Sequence, residues 1–365
     1  VAKKLDYHQS VNYSQADPMK VLAQKQGLAT VKNMPAGFSE VEGTRGESAY
    51  IFSMGDRWGA FVQEGLGTKS LIGQKVYETT GETHFAGIAQ DTVACIINDL
   101  VSVGATPVVL NAYWSSSSYE WLTDAALAED FIKGWRAACD SAKVVWGGGE
   151  TQALSGVVAP GALEFAGSAF GVINAQEHVV QGKNLHDGDA IVLVESSGVH
   201  ANGISLIREI ADGLTQGYAT KMNDGTPFGL AALAPTHLYA GLVIAMQEAG
   251  LDIHYLSNIT GHGWRKLMRA AEPFSYVITE VPPAHEIFSF IAEQAGNDAK
   301  EMYGNYNMGA GYAVYVPADQ ATQVVEVAAQ CGLKAWIAGR VQAGPKQVVI
   351  ESLDITFAED SLEMR

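Results

Sequence analysis

Short apolar runs of strand length, each delivering a polar, glycine-containing loop, constrain this chain more than any other feature. Asp189-Ala-Ile-Val-Leu-Val194 runs into Ser196-Ser197-Gly198, and Ala142-Lys-Val-Val-Trp146 runs into Gly147-Gly148-Gly149. After the first of these loops Ile204, Leu206, Ile207, Ile210 and Leu214 recur at helical spacing, so the unit reads strand, loop, helix. Buried strands punctuated in this way by glycine loops and amphipathic helices make an α/β chain.

The 365 residues suggest two or three folded units at roughly 150 residues each. With 47% hydrophobic residues, 17% charged residues and a mean hydropathy of +0.04, the signature of disorder is absent. The expected junction lies between Val172 and Asp189, where Asn174-Ala-Gln-Glu-His178 and Gln181-Gly-Lys-Asn184 form a polar stretch. This gives an amino-terminal domain over 1–174 and a carboxy-terminal domain over 175–365.

Charge narrows the partners. Lysines and arginines number 23 against 40 aspartates and glutamates, a net charge of −17, which repels nucleic acid and anionic lipid. Neither nucleic acid nor membrane is expected as a partner, and no apolar run approaches the roughly 18 to 20 residues of a membrane span. Val1 to Asp6 turns polar before a signal-peptide apolar region forms. Cys95, Cys139 and Cys331 are odd in number, widely spaced and without a CxxC pair, so a reducing cytoplasm is the expected location.

The segment Ala89 to Gly104 is apolar except where Asp91, Asn98 and Asp99 interrupt it. At about 100° per residue, positions 91 and 98 point within about 20° of one another and 99 lies about 80° from 91. Carboxylates on an apolar helix need a cation or hydrogen-bond donors, so a hard metal is one partner. The plainer alternative has Asp91 capping the helix and Asn98 and Asp99 satisfying backbone groups.

Five loops add candidates. Glu64-Gly65-Leu66-Gly67-Thr68-Lys69 places glycine backbone, a hydroxyl and an ammonium at a strand end, groups able to cradle phosphate or simply to make a tight turn. Gly147 to Thr151 brings Glu150 into what reads as a flexible loop, and Ser196 to Gly203 puts His200 and Asn202 before a helix. Asn258 to Gly263 and Asn307 to Gly311 are further glycine-rich loops. The GxxxxGK[ST], GxGxxG and GxSxG patterns are missing, and the histidines show no HxxxH or HxH spacing, against a P-loop ATPase, an ordinary NAD-binding fold, a serine hydrolase or a zinc hydrolase.

In this order the loops resemble the aminoimidazole ribonucleotide synthetase (phosphoribosylformylglycinamidine cyclo-ligase) family. The carriers are Gln63 to Lys69, Ile88 to Asp91 with Asn98-Asp99 to Tyr113, Gly148 to Gly156, Ser196 to Leu206, Pro235-Thr-His-Leu-Tyr239, Asn258 to Gly263 and Tyr306 to Gly311. The chain departs from the family pattern at Glu64, which stands for Asp, at Gln152-Ala-Leu154, at Ala201 for Ser and at His262 for the middle Gly. It is similar to the family as a divergent member.

The resemblance implies two domains, each with a mixed sheet and helices, joined as a homodimer with the nucleotide near the pairing interface. It implies ATP and Mg²⁺, with Glu64, Asp91, Asp99 and Glu150 as metal ligands converging within a chain or across paired subunits. Gly65, Gly67, Thr68, Lys69, Asn98, Gly149 and Thr151 become nucleotide-binding residues, and Lys69, Asp99, His200 and Asn202 catalytic ones. Thr260 to Gly263 and Asn307 to Gly311 would line the side taken by a phosphoribosyl substrate.

The reaction so implied belongs to purine biosynthesis. An amide oxygen of formylglycinamidine ribonucleotide takes the γ-phosphoryl group, a nitrogen then closes the imidazole ring and phosphate leaves, a step carried by positioning and charge neutralisation. The alternatives are a paralogous small-molecule kinase resembling thiamine-monophosphate kinase, and a nucleotide-binding scaffold without turnover.

Overall fold

The computed structural model describes residues 13–362; residues 1–12 and 363–365, at the outer ends of the two expected domains, lie outside the described residues. Two sheets divide the chain. The first takes β1 (Phe38–Glu40), β2 (Tyr50–Met54), β3 (Arg57–Gly65), β4 (Thr106–Ser116), β5 (Val145–Ala153) and β6 (Leu163–Ile173) in the order β1-β2-β3-β6-β4-β5. All its pairings are antiparallel except β4 with β5, which is parallel.

The second sheet takes β7 (Ala190–Glu195), β8 (Tyr255–Asn258), β9 (Phe274–Ile278), β10 (Ala310–Val316), β11 (Ala335–Ala343), β12 (Gln347–Ile350) and β13 (Ile355–Ala358). Its order is β13-β12-β9-β11-β7-β10-β8, again with one parallel pairing, β9 with β12. The run Ala190 to Val194 is a buried strand of this sheet, β7, beside the fully buried β10, whereas the run Ala142 to Trp146 is not a buried strand: β5 begins at Val145 and is the exposed edge of the first sheet. The mixed α/β class read from the sequence is the class observed.

Helix α1 (Tyr13–Leu28) precedes the first sheet. Helices α2 (Lys69–Thr80), α3 (Phe85–Val101) and α4 (Ala125–Ser141) follow, α2 ending at Gly81, whose φ of 74° suits glycine. Asp124 starts α4 by accepting from the backbone N–H groups of Ala126 and Leu127. In the second half α5 (Ile204–Gly213) and α6 (Ala240–Glu248) precede α7 (Ala321–Gln330), which packs on β7 and β11.

Helix α3 is the centre of the molecule. It lies on β3, β4 and β6 and against α2, α4 and α6. Ile88, Val93, Ile96, Ile97 and Leu100 are 0–1% exposed, and each such side chain contributes roughly 1.5–3 kcal/mol by burial. With apolar contacts used on several sides, the polar residues of α3 are left to face the loops of the second half.

The opposite face of the first sheet carries no helix among the described residues. Along β3, Ala60 and Val62 are buried while Phe61 is 45% exposed, and Tyr113 on β4 and Val145 on the β5 edge are exposed as well. An open apolar face ending in an unpaired strand edge is unusual for a lone subunit.

Candidate active site

Two polar edges of α3 do different work. Asp91 and Asn98 point at the segment Ala234 to Tyr239 of the second half. Asp91 accepts from the backbone N–H of Thr236 at 2.8 Å and from its hydroxyl, and pairs with Lys69, whose Nζ lies 2.9 Å from Oδ1. The other hydrogens of Lys69 go to the carbonyls of His200 and Ala234, both at 2.9 Å. Asn98 donates to the carbonyl of His237 and accepts from the N–H of Tyr239, each at 2.9 Å. Burial pushes the Asp91 carboxyl up, against the opposing pull of Lys69 and Thr236.

These contacts place three of the expected site residues on the seam between the halves. Lys69, Asp91 and Asn98 are 0–1% exposed and spend their polar atoms stitching the halves together. A lysine with all three donors occupied has none to offer a phosphate, while Asp91 takes its hydrogen bonds on Oδ1 and leaves Oδ2 to the ion pair with Lys69 at 2.8 Å. The hydrogen-bonding alternative holds for Asn98, which satisfies backbone groups of His237 and Tyr239, whereas Asp91 lies inside the helix rather than at its cap and Asp99 meets the side chain of Asn258.

Asp99, offset around the helix, faces a cavity of about 260 Å³ between the halves. Glu64 and Gly65 at the end of β3 and Cys95, one turn before Asp99, line it from the first half. Asn202, Asn258, Thr260, His262 and Lys266 line it from the second. Asn258 donates to Asp99 at 2.7 Å, which fixes the carboxylate across the seam.

The electrostatics on the acidic wall favour a cation. Burial first, then the charge of Asp99, pushes the Glu64 carboxyl up to about 7, with Lys266 and Arg269 opposing. Burial pulls Lys266 down to about 8, and it pulls the His262 imidazole down to about 3 with help from Lys266 and Arg265. Two carboxylates and two side-chain amides are the oxygen donors a hard divalent ion such as Mg²⁺ takes. Burial pushes the Cys95 thiol up, so it is no nucleophile.

Other predicted residues stand elsewhere. Gly67, with φ of 75°, turns the chain from β3 into α2, and Thr68 is the residue before that helix; neither lines the cavity. His200 is 2% exposed, accepts from the N–H of Ser197 at 3.3 Å and sits behind Lys69, where burial holds its imidazole well below the ordinary value. Its imidazole packs in the seam and does not line the cavity. Asn202, two residues on, reaches the cavity.

Gly149, Glu150 and Thr151 belong to a strand, not a flexible loop. A Cβ on Gly149 would lie 2.1 Å from the carbonyl oxygen of Ala112, so that glycine serves the pairing of β5 with β4. Glu64 stands in register with Gly167, which faces α3, whereas Glu150 stands in register with Tyr113 on the open face. Three strand spacings, about 14 Å, separate β3 from β5. The four carboxylates therefore do not converge within one chain: Glu64 and Asp99 share the cavity, Asp91 is paired with Lys69, and Glu150 is exposed on the far edge.

Lys266 and Asn258 are cavity residues to which motif reading assigns no role; the signal available for Lys266 is a basic pair, Arg265-Lys266, close after a glycine loop. A separate group, His186, Asp189 and His254, has ligand atoms within 4.8 Å of one another. Its sequence separation hid it, and its contacts explain it: Asp189 accepts from the backbone N–H of His186 at 2.8 Å and meets Nδ1 of His254 at 2.7 Å.

Comparison with known proteins agrees with this architecture. Residues 46–173 match the family described as AIR synthase related protein, N-terminal domain, and residues 186–352 match its C-terminal domain. A curated phosphoribosylformylglycinamidine cyclo-ligase of Methanobrevibacter smithii is 31% identical over 77% of this chain and 79% of its own, and one of Clostridium kluyveri is 32% identical over 79% and 82%. Among solved structures, a HypE–HypF complex superposes with a TM-score of 0.61 at 20% identity, covering 86% of this chain and 92% of the other. AaThiL complexed with AMPPCP and TMP gives 0.58 at 14% identity, over 86% and 89%, a likeness of fold. The chain belongs to the AIR synthase related family, the family of the phosphoribosylformylglycinamidine cyclo-ligases.

Proposed function

We propose that this chain is an ATP-dependent cyclo-ligase of purine biosynthesis, working in the cytoplasm, that converts formylglycinamidine ribonucleotide to aminoimidazole ribonucleotide with release of ADP and phosphate. The observation that carries the reading is the cavity between the halves, where Glu64 and Asp99 face Asn202 and the Thr260–His262 loop, in a chain with cyclo-ligase relatives.

Glu64 and Asp99 hold Mg²⁺ in this reading, with Asn258 fixing the Asp99 carboxylate at 2.7 Å. Held there, the ion would supply positive charge to offset the triphosphate. Gly65 lines the cavity through its backbone, and a side chain at this position would point away from the cavity toward Glu164 on β6. Asn202 orients the substrate amide from the opposite wall, and the loop Thr260 to His262 encloses it. The bond formed first joins the substrate amide oxygen to the γ-phosphorus as the bond from that phosphorus to the β,γ-bridging oxygen breaks and ADP leaves; ring closure by the substrate nitrogen then expels the amide oxygen within phosphate.

Pairing of two copies completes the reading. The open face of the first sheet, with Phe61, Tyr113 and the β5 edge exposed, is the surface a second copy covers in a homodimer, and Gly149, Glu150 and Thr151 lie on that edge. Substrate carrying ¹⁸O in its amide tests the chemistry. Label recovered in the released phosphate supports it, and label retained in the organic product refutes it.

A further inference from the structure

The cavity presents separated charge. Glu64 and Asp99 stand on the wall from the first half, and Lys266 stands on the wall from the second. Lys266 is 6% exposed, yet no ion pair within 4.0 Å joins its Nζ to either carboxylate, and among the described residues no hydrogen bond holds it. The stem of Lys266 is buried while its ammonium stays accessible at the cavity wall, so its charge is available to something that enters the cavity.

The other cations nearby are already committed. Lys69 is saturated by Asp91 and two carbonyls, and Arg269 donates to the carbonyl of Gly46 at 3.1 and 3.3 Å. Lys266 is the one lysine or arginine among the described residues lining the cavity. Its backbone is anchored, because its carbonyl accepts from Ser257 at 2.9 Å on the neighbouring strand. The position is set and the ammonium is left for the ligand.

We infer that Lys266 is the phosphoryl-binding cation of this cavity, taking the role that the glycine-loop lysine Lys69 cannot fill. The inference deepens the proposed function and rests on it for the identity of the ligand: the phosphoryl group belongs either to the ribose 5-phosphate moiety of the acceptor or to the nucleotide. The acidic wall takes the metal and the basic wall takes the anion, so a metal–phosphate pair spans the gap.

The test is calorimetric titration of ribose 5-phosphate, and separately of a non-hydrolysable Mg-ATP analogue, into the full chain and its K266M and K266R variants. Each variant's fold is checked by its thermal transition. Tenfold or greater weakening of one ligand in K266M, largely recovered in K266R, supports the inference, and the affected ligand identifies the source of the phosphoryl group. If K266M destabilises the fold, the same comparison is made with K266Q. Affinities within twofold of the parent for both ligands, or binding of neither by the parent, overturn it. The cyclo-ligase assay is run alongside: Lys266-dependent binding without ring product would count against the proposed function and leave the phosphoryl site standing.

Discussion

Lys69 Nζ lies 2.9 Å from Oδ1 of Asp91, both side chains are fully buried, and the pair joins a helix start in one half of the molecule to carbonyls of the other. A buried ion pair of this kind contributes little net stability over an apolar pair, but losing one partner strands the other. Lys69→Met should lower the unfolding free energy by about 3–5 kcal/mol, read by denaturant titration. A loss below about 1 kcal/mol would mean the pair does not hold the seam.

Glu64 and Asp99 should separate from that pair in their phenotype. Asp99→Asn keeps the shape and an acceptor for Asn258 but removes a charge from the cavity. Turnover should fall more than about 100-fold while the unfolding midpoint holds or rises, because crowding of carboxylates is relieved. Wild-type turnover over a Mg²⁺ titration would remove Asp99 from the metal site.

His200 sets a pH limit. Its imidazole is held well below the ordinary value in the folded chain, by burial first and then by His237 and Lys69, so below about pH 6.5 the unfolded chain binds a proton that the folded chain does not. Stability is therefore lost as pH falls below that point. His200→Phe, which keeps a ring there, should flatten the slope between pH 6 and 5 by up to about 1.4 kcal/mol per pH unit. An unchanged slope would place the acid sensitivity elsewhere.

Phe61→Lys or Val145→Lys should yield monomers, since each puts a charge on the open face of the first sheet. Light scattering after size exclusion reads the mass. A dimer that survives both changes would move the pairing surface away from this sheet.

Much of the fold was legible from residue spacing. The β7 run and the helix at Ile204 stand where the apolar pattern puts them, because both are buried by their own sequence periodicity. The 20° alignment of Asp91 with Asn98 and the offset of Asp99, which follow from about 100° per residue, are what divide α3 into a stitching edge and a cavity edge. Spacing could not say which edge faced the ligand, since that depends on how the second half docks.

Gly147 to Thr151 shows the opposite failure. Its glycines suggest a flexible loop, but on an edge strand a glycine also permits close strand pairing, as at Gly149 against Ala112. His262 has φ of 73°, the left-handed region that glycine occupies freely, which gives a backbone reason for the family's glycine at this place. Lys266 carried no motif; only the docking of the halves brings it opposite Glu64 and Asp99.

Steady-state turnover of formylglycinamidine ribonucleotide with Mg-ATP, following ADP and the imidazole product together, decides the cyclo-ligase reading. One ADP is expected for each aminoimidazole ribonucleotide, with loss of both in Asp99→Asn. ADP without ring product, faster release of ADP on thiamine monophosphate, or no ADP on either acceptor would contradict it.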